Sequence, residues 1–202
     1  MNRADSYSSA ERRFIQPVRR VVSQTYAPLV RLLAALGVSP NAVSCVGPAL
    51  GLAFVWLVRR DLRLSFGVWT LSVLVDGVDG ALARYLGCES EFGALVDALA
   101  DHTREALIVV GLTASGALAP LWGSLYPFVY AMFNVTLFLA NRNGVPAPWA
   151  IKSWMVLYPG IALYLLSGHN LLDIATSASI ALMVLVIAPE LFRLSQRMGR
   201  RA

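Results

Sequence analysis

Charge is scarce in this sequence. Asp, Glu, Lys and Arg make up only 14% of the 202 residues, against 57% hydrophobic ones and a mean hydropathy of +0.61. That balance excludes an ordinary soluble domain and makes the bilayer the expected solvent. Cysteine is limited to Cys45 and Cys88, which have neither metal-ligand spacing nor the makings of a disulfide framework; both read as free thiols. Lysine is nearly absent, so the net charge of +5 is carried by arginine. Arg12, Arg13, Arg19, Arg20 and Arg31 gather at one end and Arg193, Arg197, Arg200 and Arg201 at the other. Anionic lipid headgroups account for these clusters better than nucleic acid does. The polar or amphipathic opening lacks the charged start, apolar centre and small-residue cleavage site of a secretory leader, so the N-terminus is expected to stay in the mature protein. There is no internal repeat, low-complexity tract or second domain, which leaves a single membrane domain over 1–202.

What is present is apolar and helical. Between Ser8 and Leu36, residues Phe14, Val18, Val21, Val22, Leu29, Val30 and Leu33 recur at helical spacing among arginines and glutamines. This pattern predicts an amphipathic interfacial helix within 1–36, opened by a Ser8–Glu11 capping box and kinked or divided at Pro17 and Pro28. Six apolar stretches follow, at 39–58, 64–86, 93–115, 119–140, 149–167 and 171–192, before a basic tail over 193–202. At ~1.5 Å per residue, stretches of about twenty residues cross a hydrocarbon core of ~30 Å. The expected fold is therefore an all-α, integral membrane bundle of six transmembrane helices (39–192) behind an interfacial helix. An even number of spans puts both ends on one side, and the basic ends, with Arg142 and Lys152, put that side in the cytoplasm; Arg59, Arg60 and Arg63 oppose this orientation. Gly47 and Gly51 form a small-xxx-small pair that serves either a dimer contact or packing within one protomer.

Carboxylates inside apolar spans cost ~2.5–3.5 kcal/mol each at a helix centre, so their placement is informative. Asp76 and Asp79, three apart near the end of the second span, lie about 60° apart on one helical face. Asp97 and Asp101, four apart at the start of the third, also share a face, and the short intervening turn brings both pairs to one membrane level. Four carboxylates converging there repel one another unless divalent cations intervene. All-oxygen ligands suit magnesium, manganese or calcium, and the lack of cysteine pairs speaks against structural zinc. Two carboxylate-bridged metals are a known device for in-line displacement at phosphorus. Gly80 and Gly93 leave room for a bulky ligand, Ala83 keeps the face low, and Arg84 offers a guanidinium suited to a diphosphate. The bland alternative is that the four aspartates only solvate helix ends.

The run from Asp76 to Asp101 reads D-G-V-D-G-A-L-A-R, eight residues, G, three residues, D, three residues, D. It resembles the signature of the CDP-alcohol phosphotransferases at every fixed position. Ser39, Pro40, Asn41 and Ser44 resemble the P-N-x-x-S/T motif at the first span of that family, and the resemblance extends to the six-span architecture. It implies that Asp76, Asp79 and Asp97 bind two divalent cations, Mg²⁺ or Mn²⁺, and that Asp101 joins their shell and acts as general base. Asp76, Asp79, Gly80, Ala83, Arg84 and Gly93 would then meet the CDP-alcohol donor, most simply CDP-diacylglycerol. A phosphoalcohol group would pass to an acceptor hydroxyl with release of CMP, in a homodimeric enzyme of phospholipid synthesis at the cytoplasmic membrane.

The signature does not choose the acceptor. Arg104, Arg142, Lys152 and Arg193 could meet a phosphorylated polyol, which points to glycerol phosphate or inositol phosphate; a neutral or zwitterionic alcohol such as serine, ethanolamine or choline is the alternative. Arg104 is equally well read as a partner of an aspartate, and Lys152 as a snorkelling cation between Trp149 and Trp154. His102 is either a neighbour that supports Asp101 or a solvated residue, and His169 belongs to an outer loop. A membrane cation transporter would also carry intramembrane aspartates, but nearer the midplane and often in repeats. A catalytically dead scaffold would have no reason to retain the whole signature.

Overall fold

The computed structural model describes residues 25–145, 147–148 and 155–199. The described residues are helical, with no strand among them, and divide into two compact units between Leu118 and Ala119, where the sequence predicts one domain. Most of the N-terminal amphipathic segment, together with Lys152, lies outside the described residues.

In the first unit, α1 (Ala27–Ala35) begins with Pro28 in its first turn, so this proline starts a helix instead of kinking one. Its apolar stripe seats Val30 against Val43, Val78, Ala81 and Leu82, with Tyr26 and Leu33 packed alongside. The Tyr26 hydroxyl donates to the Leu74 carbonyl at 3.0 Å. The short α2 (Pro40–Ser44) is capped by Ser39, whose hydroxyl accepts from the Ala42 N–H. Past Cys45 the chain continues as α3 (Val46–Leu57). Asp61 caps α4 (Leu62–Leu86), which Gly87 ends in the left-handed region at φ 65°. Ser90 then caps α5 (Glu91–Ala114) by accepting from the Gly93 N–H. A turn of four residues thus reverses the chain between the two helices that carry the aspartates.

Helices α2 and α3 pack against both α4 and α5. Glycines permit this closeness: a Cβ on Gly51 would come within 3.1 Å of Leu107 and 3.5 Å of the Arg104 Cα, and one on Gly111 within 3.2 Å of the Val55 Cα. The Gly47–Gly51 pair is therefore occupied by α5 of the same protomer, and the dimer contact considered for it has no free face there. At the far end of this unit, the Arg59 guanidinium donates to the Ala114 carbonyl at the C-terminus of α5, and Arg60 lies 3.8 Å over the Trp56 ring. Two of the three arginines that oppose the predicted orientation, Arg59 and Arg60, thus have local structural partners, which weakens them as a topological signal.

The second unit comprises α6 (Pro120–Arg142), α7 (Leu157–Ser167) and α8 (Leu172–Gly199), with α8 packed against both others. Asp173 caps the start of α6 by accepting from the Ala119 N–H at 2.8 Å.

Among the described residues, four segments are long and apolar enough to cross a membrane: Pro40–Leu57, Leu62–Leu86, Pro120–Arg142 and Leu172–Arg197. They expose Leu52, Trp56, Leu71, Phe128 and Leu185, as lipid-facing helices do. Helix α5 has sufficient length but carries Glu91, Asp97, Asp101, Arg104 and Glu105, too much charge for that description; α7 is short, and the predicted start of its span lies outside the described residues.

Candidate active site

The aspartates meet where α2, α4 and α5 come together. Because α4 and α5 run in opposite directions from the four-residue turn, the earlier aspartate of one pair faces the later aspartate of the other. The carboxyl groups of Asp79 and Asp97 lie within hydrogen-bonding reach, and so do those of Asp76 and Asp101. The expected single convergence of four carboxylates is thus drawn out into two cross-helix pairs. Among the described residues, no group of three or more His, Cys, Asp or Glu side chains is arranged as one coordination shell. The donor set still fits hard divalent cations by its chemistry: all its ligands are oxygens, and like-charged carboxyls stand face to face.

Each pair is tied to a residue outside the aspartates. Ser44, buried on α2, donates its hydroxyl to Asp79 Oδ2 at 2.6 Å, while Asp79 Oδ1 accepts from the Gly80 N–H at 2.6 Å. Pro40 sets the start of this short helix and Ser44 ends it, so the P-N-x-x-S spacing delivers a hydroxyl to the second signature aspartate. Arg104, buried on α5, donates through Nη1 to Asp76 Oδ1 at 2.8 Å and to the Ser72 carbonyl at 3.0 Å; its Nη2 lies 3.6 Å from Asp101 Oδ1. Val43, Ser44, Asp76, Asp79, Asp101 and Arg104 help line a small cavity between the helices.

A hydrogen bond to a charged carboxylate contributes about 1.5–3 kcal/mol, so Ser44→Ala is expected to lower the stability of the metal-free protein by that order. Ser44→Thr, which retains the hydroxyl, should stay close to wild type when thermal unfolding is followed in detergent. Equal destabilisation by both variants would mean that side-chain volume, and not the bond to Asp79, matters at this position.

Around this centre, the Arg84 guanidinium lies over Gly80, where a Cβ would come within 3.2 Å of Nη1. Gly80 thus leaves space for the arginine next to Asp79, and Arg84 itself is exposed at the end of α4. A Cβ on Gly93 would meet Ser90 Oγ at 3.2 Å and Asn41 Oδ1 at 3.7 Å, which puts the P-N motif beside the start of α5. Ala83 is half-buried. Of the other cations singled out in the sequence, Arg142 and Arg193 belong to the second unit and are exposed. Arg193 donates to Glu190 Oε1 at 2.8 Å and lines an open cleft with Val145, Phe192, Gln196 and Arg197. His102 is half-buried, while His169 is exposed on the loop before α8, its ring within 3.0 Å of Ser167 Oγ. Sequence reasoning passed over the buried Glu105, next to Arg104 on α5; the signal was a fourth acid within an apolar helix.

The model of the CDP-alcohol phosphatidyltransferase family matches residues 37–191. The chain is 30% identical over 126 residues to a probable phosphatidylglycerophosphate synthase of Mycobacterium tuberculosis, covering 61% of this chain and 60% of that one. It is 28% identical over 103 residues to the archaetidylinositol phosphate synthase of Pyrococcus horikoshii, covering 50% and 55% respectively. The chain therefore spans little more than half the length of these curated relatives. In fold it resembles the phosphatidylinositol phosphate synthase of Mycobacterium tuberculosis, solved with CDP-DAG bound, at a TM-score of 0.71 and 19% identity over 87% of this chain and 94% of that one.

Proposed function

Because the chain belongs to the CDP-alcohol phosphatidyltransferase family, we propose that it transfers the phosphatidyl group of CDP-diacylglycerol, or a related CDP-alcohol, to the hydroxyl of a polyol phosphate and releases CMP. The observation that carries this reading is the meeting of Asp76, Asp79, Asp97 and Asp101 in cross-helix pairs beside the Arg84 guanidinium. In our reading these four aspartates hold two divalent cations, Mg²⁺ or Mn²⁺. When bound, such cations neutralise the diphosphate and the charge that develops on the leaving CMP.

The chain's own residues do the rest. Arg84 meets the nucleotide phosphates, and the low surface at Gly80 and Ala83 lets the donor approach. Asp101 takes the proton of the acceptor hydroxyl. The acceptor oxygen then forms a bond to the phosphorus distal to cytidine, and the bond from that phosphorus to the CMP oxygen breaks with its electrons leaving on CMP. A phosphorylated acceptor is supported by the curated relatives named for glycerophosphate and inositol phosphate products. The cations singled out in the sequence, Arg142, Lys152 and Arg193, are our candidates for its phosphate. We place the enzyme in the cytoplasmic membrane with six spans, both termini and the aspartates on the cytoplasmic side, and any homodimer contact away from Gly47 and Gly51.

The test is CMP release by purified protein in detergent with CDP-diacylglycerol, Mg²⁺ or Mn²⁺, and acceptors offered singly. Release with glycerol phosphate or inositol phosphate, lost on chelation, is expected. Release only with serine, choline or ethanolamine would replace the acceptor, and failure to bind CDP-diacylglycerol would remove the donor. In the same assay Arg84→Ala should raise the KM for donor about tenfold, the loss of one charge-assisted hydrogen bond, with a smaller change in kcat. An unchanged donor KM would take Arg84 out of the donor site.

A further inference from the structure

We propose that Arg104 is a positioning residue: its buried guanidinium fastens Asp76 on α4 and Asp101 on α5 and forms a permanent internal cation against which divalent ions bind. This rests on reading the aspartates as metal ligands. Arg104 is 6% exposed on α5, flanked in sequence by Asp101, His102, Thr103 and the buried Glu105. A guanidinium is costly to bury without partners. Here it bonds Asp76 at 2.8 Å and a main-chain carbonyl, that of Ser72, at 3.0 Å, and comes within 3.6 Å of Asp101. The stem is accommodated by a missing side chain, since a Cβ on Gly47 would already touch Arg104 Cδ at 3.7 Å. Three elements are therefore shaped around this one residue: α3 by a glycine, α4 by a carbonyl and an aspartate, and α5 by the arginine and Asp101.

The consequence is an asymmetric site. The Asp76–Asp101 pair has an internal counter-charge, whereas the Asp79–Asp97 pair has the neutral Ser44 hydroxyl. Four carboxylates and one guanidinium leave three formal negative charges, and removal of the guanidinium leaves four. A neutral residue at 104 should thus attract a divalent cation more strongly while releasing the carboxylates that the arginine oriented. General loosening of the site would instead weaken metal binding and turnover together, so the sign of the change in metal affinity separates the two.

The experiment compares wild type, Arg104→Gln and Arg104→Lys as full-length proteins in detergent. It measures Mn²⁺ binding from the electron paramagnetic resonance of the free ion, and CMP release at saturating Mn²⁺. Arg104→Gln should bind Mn²⁺ about tenfold more tightly, from the loss of one nearby positive charge. Its turnover should fall about a hundredfold, as expected when reacting groups are displaced by about 1 Å. Arg104→Lys retains the charge but not the fork, so its Mn²⁺ affinity should stay within about threefold of wild type while turnover still falls. Unchanged or weaker Mn²⁺ binding by Arg104→Gln overturns the proposal. Should that variant fail to fold, Arg104→Lys decides: wild-type affinity with reduced turnover supports the role, and weakened affinity or unaltered turnover overturns it. Wild-type protein that binds no Mn²⁺ overturns the metal reading itself and the proposal with it, whereas normal wild-type binding with unresponsive variants overturns only the role of Arg104.

Discussion

Asp101→Asn is expected to reduce CMP release by about 10²–10⁴-fold, the range for loss of a positioned general base, while the protein still binds CDP-diacylglycerol. The substitution changes little besides proton affinity. Asparagine has the shape of aspartate, and its amide can still meet the Asp76 carboxyl, whose neighbour Asp101 is in the structure. Asp76 also retains its bond from Arg104 Nη1 at 2.8 Å, so that side of the site should hold its geometry. What is lost is the group that accepts the acceptor proton and one of the negative charges facing the cations. Donor binding measured by calorimetry separates the two roles. A fall in donor affinity as large as the fall in turnover would assign Asp101 to metal binding or structure and leave the base to be found elsewhere.

Gly51→Leu should be the most damaging change outside the aspartates. The hydrogen at this position faces Leu107 Cβ and Cδ1 at a distance that would leave even a methyl group only 3.1 Å, with the Arg104 Cα 3.5 Å away behind them. Leu107 can give a little; the backbone of α5 cannot. Overpacking of this kind costs about 1–3 kcal/mol and sometimes more. The functional loss should exceed the loss of stability, because α5 carries Asp97 and Asp101 whereas their partners are held from α4 and α2. A shift of about 1 Å between those helices is enough for a hundredfold fall in turnover. Gly67 on α4 is the control, since nothing lies within 4 Å of a Cβ placed there. Gly67→Ala should leave the unfolding temperature in detergent unchanged or slightly raised. Similar behaviour of the Gly51 and Gly67 variants would show that α3 and α5 are not packed as closely as the glycines imply.

Much of this was legible along the chain because it depends on local periodicity and composition. The apolar runs predicted helices where α3 through α8 are described, while the caps Asp61 and Ser90 that start two of them emerged only from the structure. The spacing of Asp76, Asp79, Asp97 and Asp101 placed each pair on one helical face, and the short stretch between them predicted the reversal, which the structure makes after Gly87 ends α4. The signature also identified the family that the residue match over 37–191 supports. Charge counting was less informative. The arginines at 59 and 60 read as a topological signal, whereas they satisfy a helix end and an aromatic ring.

The sequence by itself determined the helices, their apolar character and the grouping of four aspartates with Gly80, Ala83, Arg84 and Gly93, since each of these follows from residue type and a helical repeat of about 3.6. Only the tertiary structure decided how the acids pair across α4 and α5, that Ser44 serves Asp79, that Arg104 is turned inward to Asp76, and that Gly47 and Gly51 receive α5 of the same chain. The reason is physical: residues separated by 18 (Asp79 and Asp97) to 57 (Gly47 and Arg104) positions in sequence meet according to the register of packed helices. That register is set by glycines, whose effect depends on which neighbour comes to rest against them.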